Sequence, residues 1–279
     1  MRVLILGAGY VGQPLAAELG SRGHKVCAVG RHSGVDITNV ADLKKLGRDW
    51  DWVVNTVSSN RGNLDDYIRV FLDGTRNIIE WLYGASIGKY LYTSSTSVYG
   101  QTDGSVVDET SPTEPKSETS KVLVDTEQLL RGFPAIILRL AGIYGPERGY
   151  LFQQYLRGEA TITGDGSRYL NMIHRDDVVG AIIAALERGQ PGEIYNVADD
   201  EPVKQIEFFQ WLSKTLNRPM PPFAAEPVSR KRGNTNKRVS NRKLREELRY
   251  DLAYPNYRVG YSALIAQMDR SGRKSSSIL

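Results

Sequence analysis

A short strand that runs straight into a glycine turn, MRVLILGAGYVGQP at residues 1–14, constrains this chain more than any other stretch. Val3 to Leu6 is an apolar run of β-type residues with no room for a helical stripe, so it reads as a buried strand. Gly7, Gly9 and Gly12 follow at once, and a helix is expected from about Gln13 to Ser21. Gly7 lets the chain turn sharply, Gly9 removes a side chain where a pyrophosphate must approach, and Gly12 lets the helix pack close to the strand. Tyr10 and Val11 lie between these glycines and belong to the same cradle. The free N–H groups at the start of the helix then face an anion, helped by the helix dipole. Strand, glycine turn and helix in this order predict a dinucleotide site at the head of the chain.

The same alternation continues. Strands are expected at His24 to Val29, Gly34 to Ile37, Asp51 to Val57, Lys89 to Thr93, Ala135 to Leu140 and Ile194 to Val197. Helices are expected at Ala41 to Leu46, Asp66 to Tyr83, Asp176 to Leu186 and Val203 to Leu216, while Glu147 to Thr163 shows little regular pattern. Right-handed crossovers place each helix on a face, so the order implies an α/β fold with a doubly wound parallel Rossmann sheet.

Ligands gather at the carboxyl ends of such strands. The second strand ends in Gly30, Arg31, His32 and Ser33 with no acidic residue at its tip. A carboxylate there would accept from a ribose 2′-OH, whereas an arginine accommodates a 2′-phosphate, so Arg31 with His32 points to NADP ahead of NAD. Asp36 and Ile37 offer a carboxylate and a backbone edge to adenine. Thr56 stands at the end of the fourth expected strand, and Ser58 opens the polar loop after it.

Longer matches carry a family resemblance. The fifth expected strand runs into TSSTSVYG (Thr93 to Gly100) and the sixth into RLAGIYGP (Arg139 to Pro146). GTRNIIE, GDGS followed by IHRDDV, and IYNVADDEP come in the same order. The chain resembles the extended short-chain dehydrogenase/reductase superfamily, the NAD-dependent epimerases and dehydratases, to about Ala263. The resemblance implies a cofactor domain at 1–146 and 172–198 and a smaller C-terminal α/β substrate domain at 147–171 and 199–266, while a polar end short of core residues reads as a loose tail at 267–279. It also implies that Ser95 hydrogen-bonds the reacting oxygen and that Lys121 holds the nicotinamide ribose and lowers the pKa of a catalytic tyrosine.

That tyrosine position is Ser117. A phenol with a pKa near ~10 can be drawn toward neutrality by an ammonium, but an aliphatic hydroxyl lies far above it and is also too short. Tyr99, Tyr144 and Tyr169 are the phenols that could reach in, although the first two read more simply as members of their turns. Lys121 acting alone is the other route. The Arg-Asp pair with which nucleotide-sugar members clamp a diphosphate falls at Leu170 and Asn171, and Arg168 is two residues away on an alternating strand. His174 reads as packed or hydrogen-bonded beneath the site. Both departures resemble the YeeZ-like branch of the superfamily, so fold and cofactor transfer better than a reaction does.

With 41% hydrophobic and 24% charged residues the composition is that of a globular protein, with no apolar run long enough to span a bilayer. A strand that begins at residue 3 leaves no room for a signal peptide, and the single cysteine, Cys27, fits a reducing cytoplasm. Between Val228 and Arg249 nine Lys or Arg residues stand against Glu246 and Glu247, either a basic wall over an anionic ligand or a solvated surface. No recognised reader fold accompanies them, which argues against nucleic acid. His and Cys are too few and scattered for a metal site. The reading is a cytoplasmic NADP-binding oxidoreductase or epimerase acting on a small polar or anionic substrate, with a cofactor-sensing protein without turnover as its rival. Helical faces at Asp66 to Tyr83 and Lys121 to Leu130 offer a surface for a homodimer.

Overall fold

Val3, Leu4, Ile5 and Leu6 are all fully buried. Successive strand residues point to opposite faces, so both faces of this strand must be covered. The computed structural model, which describes residues 1–59, 62–224 and 235–276, shows how. Its strands in chain order are β1 (Arg2–Leu6), β2 (Lys25–Val29), β3 (Trp52–Asn55), β4 (Lys89–Ser95), β5 (Val106–Val107) and β6 (Ala135–Leu140). They continue with β7 (Gly142–Tyr144), β8 (Tyr169–Leu170), β9 (Met172–His174), β10 (Ile194–Val197), β11 (Val203–Lys204) and β12 (Arg238–Val239). The helices are α1 (Gly12–Ser21), α2 (Val40–Lys44), α3 (Leu64–Tyr67), α4 (Gly74–Leu82) and α5 (Glu118–Leu129). After them come α6 (Tyr150–Leu156), α7 (Arg175–Arg188), α8 (Gln205–Leu216), α9 (Arg242–Glu247) and α10 (Tyr257–Ser276).

The central sheet has six parallel strands in the order β10-β6-β4-β3-β1-β2. Val3 and Ile5 pack with Leu15 and Leu19 of α1 and Val178 and Ile182 of α7 on one face. Leu4 and Leu6 pack with Ile78, Trp81 and Leu82 of α4 on the other. From β1 the chain moves to β2, then returns to the opposite side of β1 for β3. The topological switch point therefore falls beside β1, where α/β sheets hold their ligands. Leu6 is in register with Val29 and Asn55, so Gly7, Gly30 and Thr56 leave the sheet at one level.

Three sequence expectations are corrected. Residues 34–37 form no strand: Gly34 takes a left-handed φ of 74° and closes a 3₁₀ turn at Arg31–Ser33, and the Asp36 carboxylate binds the Thr38 N–H and hydroxyl. Such local side-chain bonds compete with a sheet ladder. Residues 147–163 contain α6, whose Phe152 and Tyr155 are buried while Tyr150 stays exposed. The tail expected to be loose from 267 is helical to Ser276, because α10 is anchored by buried Tyr257, Tyr261 and Leu264 and propagation adds a hydrogen bond per residue. Leu244 and Leu248, in and just after α9, belong to the main sheet core, whereas Tyr144 and Met172 join a separate cluster with Phe152, Phe208, Phe209 and Tyr261. The helix expected at 66–83 is α3 and α4 joined by a π-helical stretch at Ile68–Asp73. Among the described residues no helix is long and apolar enough to cross a membrane, and no His, Cys, Asp and Glu cluster could hold a metal.

Candidate functional site

The three glycines of the first turn are needed for different reasons. Gly7 has a φ of 105°, and a Cβ there would lie 2.8 Å from the Thr56 carbonyl carbon. A Cβ on Gly12 would come within 2.0 Å of the Gly7 carbonyl oxygen. Thr56 locks this arrangement by donating its hydroxyl to the Gly7 carbonyl at 2.9 Å. A Cβ on Gly9, by contrast, would meet nothing within 4 Å. Two glycines are thus demanded by packing, and the third leaves open space above the turn. The Tyr10 and Val11 N–H groups find no backbone acceptor among the described residues, and no side chain caps α1. Free donors at a helix start beside open space are what a diphosphate requires, so these residues fit a dinucleotide.

The side chains around the cradle are less uniform than the sequence suggested. Val11 is buried in the core, while Tyr10 donates its hydroxyl to the Pro146 carbonyl at 2.9 Å under the guanidinium groups of Arg148 and Arg175. Tyr10 therefore ties the glycine turn to the loop after β7. Ser33 closes its own turn, accepting from the Gly30 N–H and donating to the Gly30 carbonyl, which leaves Arg31 and His32 as exposed donors at the β2 tip. The Ile37 carbonyl accepts from Asn77 Nδ2 and its side chain is buried over Gly74, so only part of the expected adenine edge remains open. Ser58 is exposed beyond Thr56.

Ser95 ends β4 opposite Leu140 and accepts from the Ser97 N–H at 3.2 Å. Ser117 stands at the N-cap of α5, its hydroxyl 2.9 Å from that of Thr119. Lys121 is half exposed and donates to Glu118 Oε1 at 2.7 Å. Among the described residues, the phenols of the nearby turns are buried and engaged elsewhere. Tyr99 donates to Asn196 Oδ1 and accepts from Arg139, each at 2.8 Å, and burial pushes its pKa up to about 12. Tyr144 is buried, stacked at 4.4 Å on Tyr261, and burial raises its pKa too. The ring of Tyr169 lies beneath the Arg238 guanidinium.

His174 caps α7, its Nδ1 accepting from the Asp176 N–H at 3.2 Å, and burial pushes its pKa below the ordinary 6.5. A depressed histidine pKa means that the native state favours the neutral ring. Its contribution is complete above the unfolded value near 6.5 and is lost as pH falls through the folded value. His174→Asn keeps a capping acceptor without the titration. Its melting temperature should therefore drop less than that of the wild type between about pH 7 and about pH 5, as measured by thermal denaturation.

Part of the basic stretch is ion-paired. Residues 230–232 lie outside the described residues, but Lys243 pairs with Glu193, Arg245 with Asp200 and Asp251, and Arg242 with Glu246. Lys237 differs, being buried. Reading the run as one charged surface hid it, and the signal available was its place two residues before the apolar Val239.

A parallel sheet with a glycine cradle at its switch point defines a Rossmann-type dinucleotide-binding protein. Comparison with known proteins sharpens this. The NAD dependent epimerase/dehydratase family model matches residues 3–198. Protein YeeZ of Escherichia coli K12 is 30% identical over 91% of this chain and 97% of its own, and a 3-diazoavenalumate denitrifying reductase of Streptomyces is 27% identical over 93% and 99%. The UDP-glucuronic acid 4-epimerase of Bacillus cereus, solved with UDP-glucuronic acid and NAD, has the same fold at a TM-score of 0.76 and 23% identity, covering 91% of this chain and 95% of that one. Human epimerase family protein SDR39U1, solved with NADPH, does so at 0.76 and 19%, covering 93% and 97%. The chain belongs to the NAD-dependent epimerase/dehydratase family, within the extended short-chain dehydrogenase/reductase superfamily.

Proposed function

We propose that this protein is a cytoplasmic oxidoreductase or epimerase that prefers NADP and acts on a small polar, anionic substrate without a tyrosine acid/base. The observation that carries the reading is the open space over Gly9 beside the free N–H groups of Tyr10 and Val11. Residues 7–12 would hold the coenzyme phosphates, Arg31 and His32 the 2′-phosphate, and Lys121 the ribose once it leaves Glu118. Bound there, the nicotinamide would supply hydride transfer. Ser95 would orient a substrate carbonyl or hydroxyl by a hydrogen bond. The relative described as a reductase supports redox chemistry, and Leu170 in the clamp position weakens the case for a nucleotide sugar.

Calorimetry with NADPH and NADH tests the reading, and no heat with either coenzyme overturns it. Arg31→Glu should weaken NADPH by about 10- to 100-fold, and NADH much less, because the lost partner is a phosphate. Equal weakening of both coenzymes would remove the 2′-phosphate assignment. Ser117 and the Lys121–Glu118 pair favour a second reading, a coenzyme sensor without turnover. Deuterium transfer from labelled NADPH into any compound of a metabolite extract separates the two, since only an enzyme gives it.

A further inference from the structure

Lys237 is 5% exposed, and its ammonium donates to the Tyr99 carbonyl at 3.0 Å and to Thr235 Oγ1 at 2.9 Å. Both acceptors are neutral, and no carboxylate among the described residues pairs with it. An ammonium has three donors, and the described residues take up two of them. A buried charge without a counter-charge is unfavourable, which sets Lys237 apart from Lys243 and Arg245 with their acidic partners. Burial, together with the nearby Arg168 guanidinium, pushes its pKa down to about 8.

The backbone around this ammonium is fixed from two sides. Asn236 donates its N–H to the Gln101 carbonyl, accepts from the Gly104 N–H at its own carbonyl, and accepts from the Tyr169 N–H at Oδ1. Asn171 donates to the Lys237 carbonyl at 2.9 Å and accepts from the Val239 N–H at 2.7 Å. With its backbone so pinned and its ammonium bonded to Tyr99 and Thr235, Lys237 keeps its charge inside rather than carrying it out to water as surface lysines do. Tyr99 lies in the turn that starts at Ser95, and the next residue, Gly100, is pressed so closely on the Glu114 carbonyl that a Cβ would lie 2.2 Å from it. Residues 114–115 lead directly to Ser117. The ammonium is thereby fastened to the turn that joins the candidate reacting groups.

We propose that Lys237 forms an anion subsite that receives a carboxylate or phosphate of the substrate next to the Ser95–Gly100 turn. The subsite deepens the reading of an anionic substrate given above and rests on it. Its chemistry is charge-assisted donation to an anionic oxygen, which also neutralises the buried ammonium.

Pyrophosphate and malonate, titrated calorimetrically into the NADPH-saturated full chain, are the phosphate and carboxylate probes. At least one should bind, and the tighter of the two identifies the group received. Lys237→Met should weaken that probe by about tenfold or more, while Lys237→Arg stays within about threefold, with NADPH affinity unchanged in both. Failure of both probes to bind the wild type, or equal affinity in Lys237→Met, overturns the subsite even if that variant melts lower. NADPH affinity in the same samples reports separately on the coenzyme reading. Should Lys237→Met not fold, wild-type protein carrying ¹³C at lysine Cε decides the matter: the Lys237 resonance should move on adding the anion, and an unmoved resonance overturns the subsite.

Discussion

Gly9→Ala is expected to cost this protein its coenzyme affinity while leaving its melting temperature close to that of the wild type. The added methyl meets no protein atom within 4 Å and Gly9 has no left-handed φ, so the folded chain loses little. It would occupy the space that a diphosphate needs in order to approach the backbone N–H groups. A loss of about 100-fold in NADPH affinity, or roughly 2.7 kcal/mol, is the anticipated size. Gly12→Ala is the contrasting case. Its methyl would lie 2.0 Å from the Gly7 carbonyl oxygen, so α1 must shift from β1 at a cost of about 1–3 kcal/mol or more. Calorimetry paired with thermal denaturation separates the two effects. Unchanged NADPH binding in Gly9→Ala would show that the open space has another use.

The contrast between these glycines also shows how far the sequence could be read. Strand, turn and helix at the head of the chain were legible because they rest on neighbouring residues: apolar β-type side chains and glycines at fixed spacing. The six sheet strands were legible for the same reason, since each is built around a short run of mostly apolar residues. Residues 34–37 were misread because Asp36 satisfies its own turn, a choice made by side-chain hydrogen bonds rather than by hydrophobicity. Helix α6 escaped notice because Phe152 and Tyr155 bury against α8 and α10, partners far along the chain. The packing of α9 likewise depends on Leu244 and Leu248 finding the sheet core. At the site, Ser117 in the expected tyrosine position was legible from spacing alone. That Tyr99 and Tyr144 are buried and engaged elsewhere needed the structure, because their contacts come from distant Arg139, Asn196 and Tyr261. Lys237 was lost in a run of positive charge for the same reason, since only tertiary contact distinguishes a buried ammonium from paired ones.

Arg139→Met should be the most destabilising change in the sheet. Arg139 and Glu127 are 4% and 5% exposed, and three guanidinium contacts join them, with Nη2 to Oε2 at 2.6 Å. Ser94 donates to the same carboxylate at 2.5 Å, while Arg139 Nη1 donates to Tyr99, which in turn donates to Asn196. Methionine fills much of the volume but leaves the Glu127 carboxylate buried with no cation. Removing one partner of such a pair costs about 3–5 kcal/mol, equivalent to a fall of roughly 10 °C in melting temperature for a chain of this size. Most of that cost is the stranded charge rather than the worth of the pair. Arg139→Met combined with Glu127→Leu should therefore recover most of the lost stability, because a buried ion pair replaced by apolar groups of similar volume is often neutral. The double variant still lacks the bonds that hold Ser94 and Tyr99, which bracket Ser95. It should accordingly melt near the wild type yet bind the tighter of pyrophosphate and malonate more weakly, since Tyr99, whose carbonyl orients Lys237, has lost its bond to Arg139. A double variant that stays as unstable as Arg139→Met would mean that packing, not stranded charge, sets the cost.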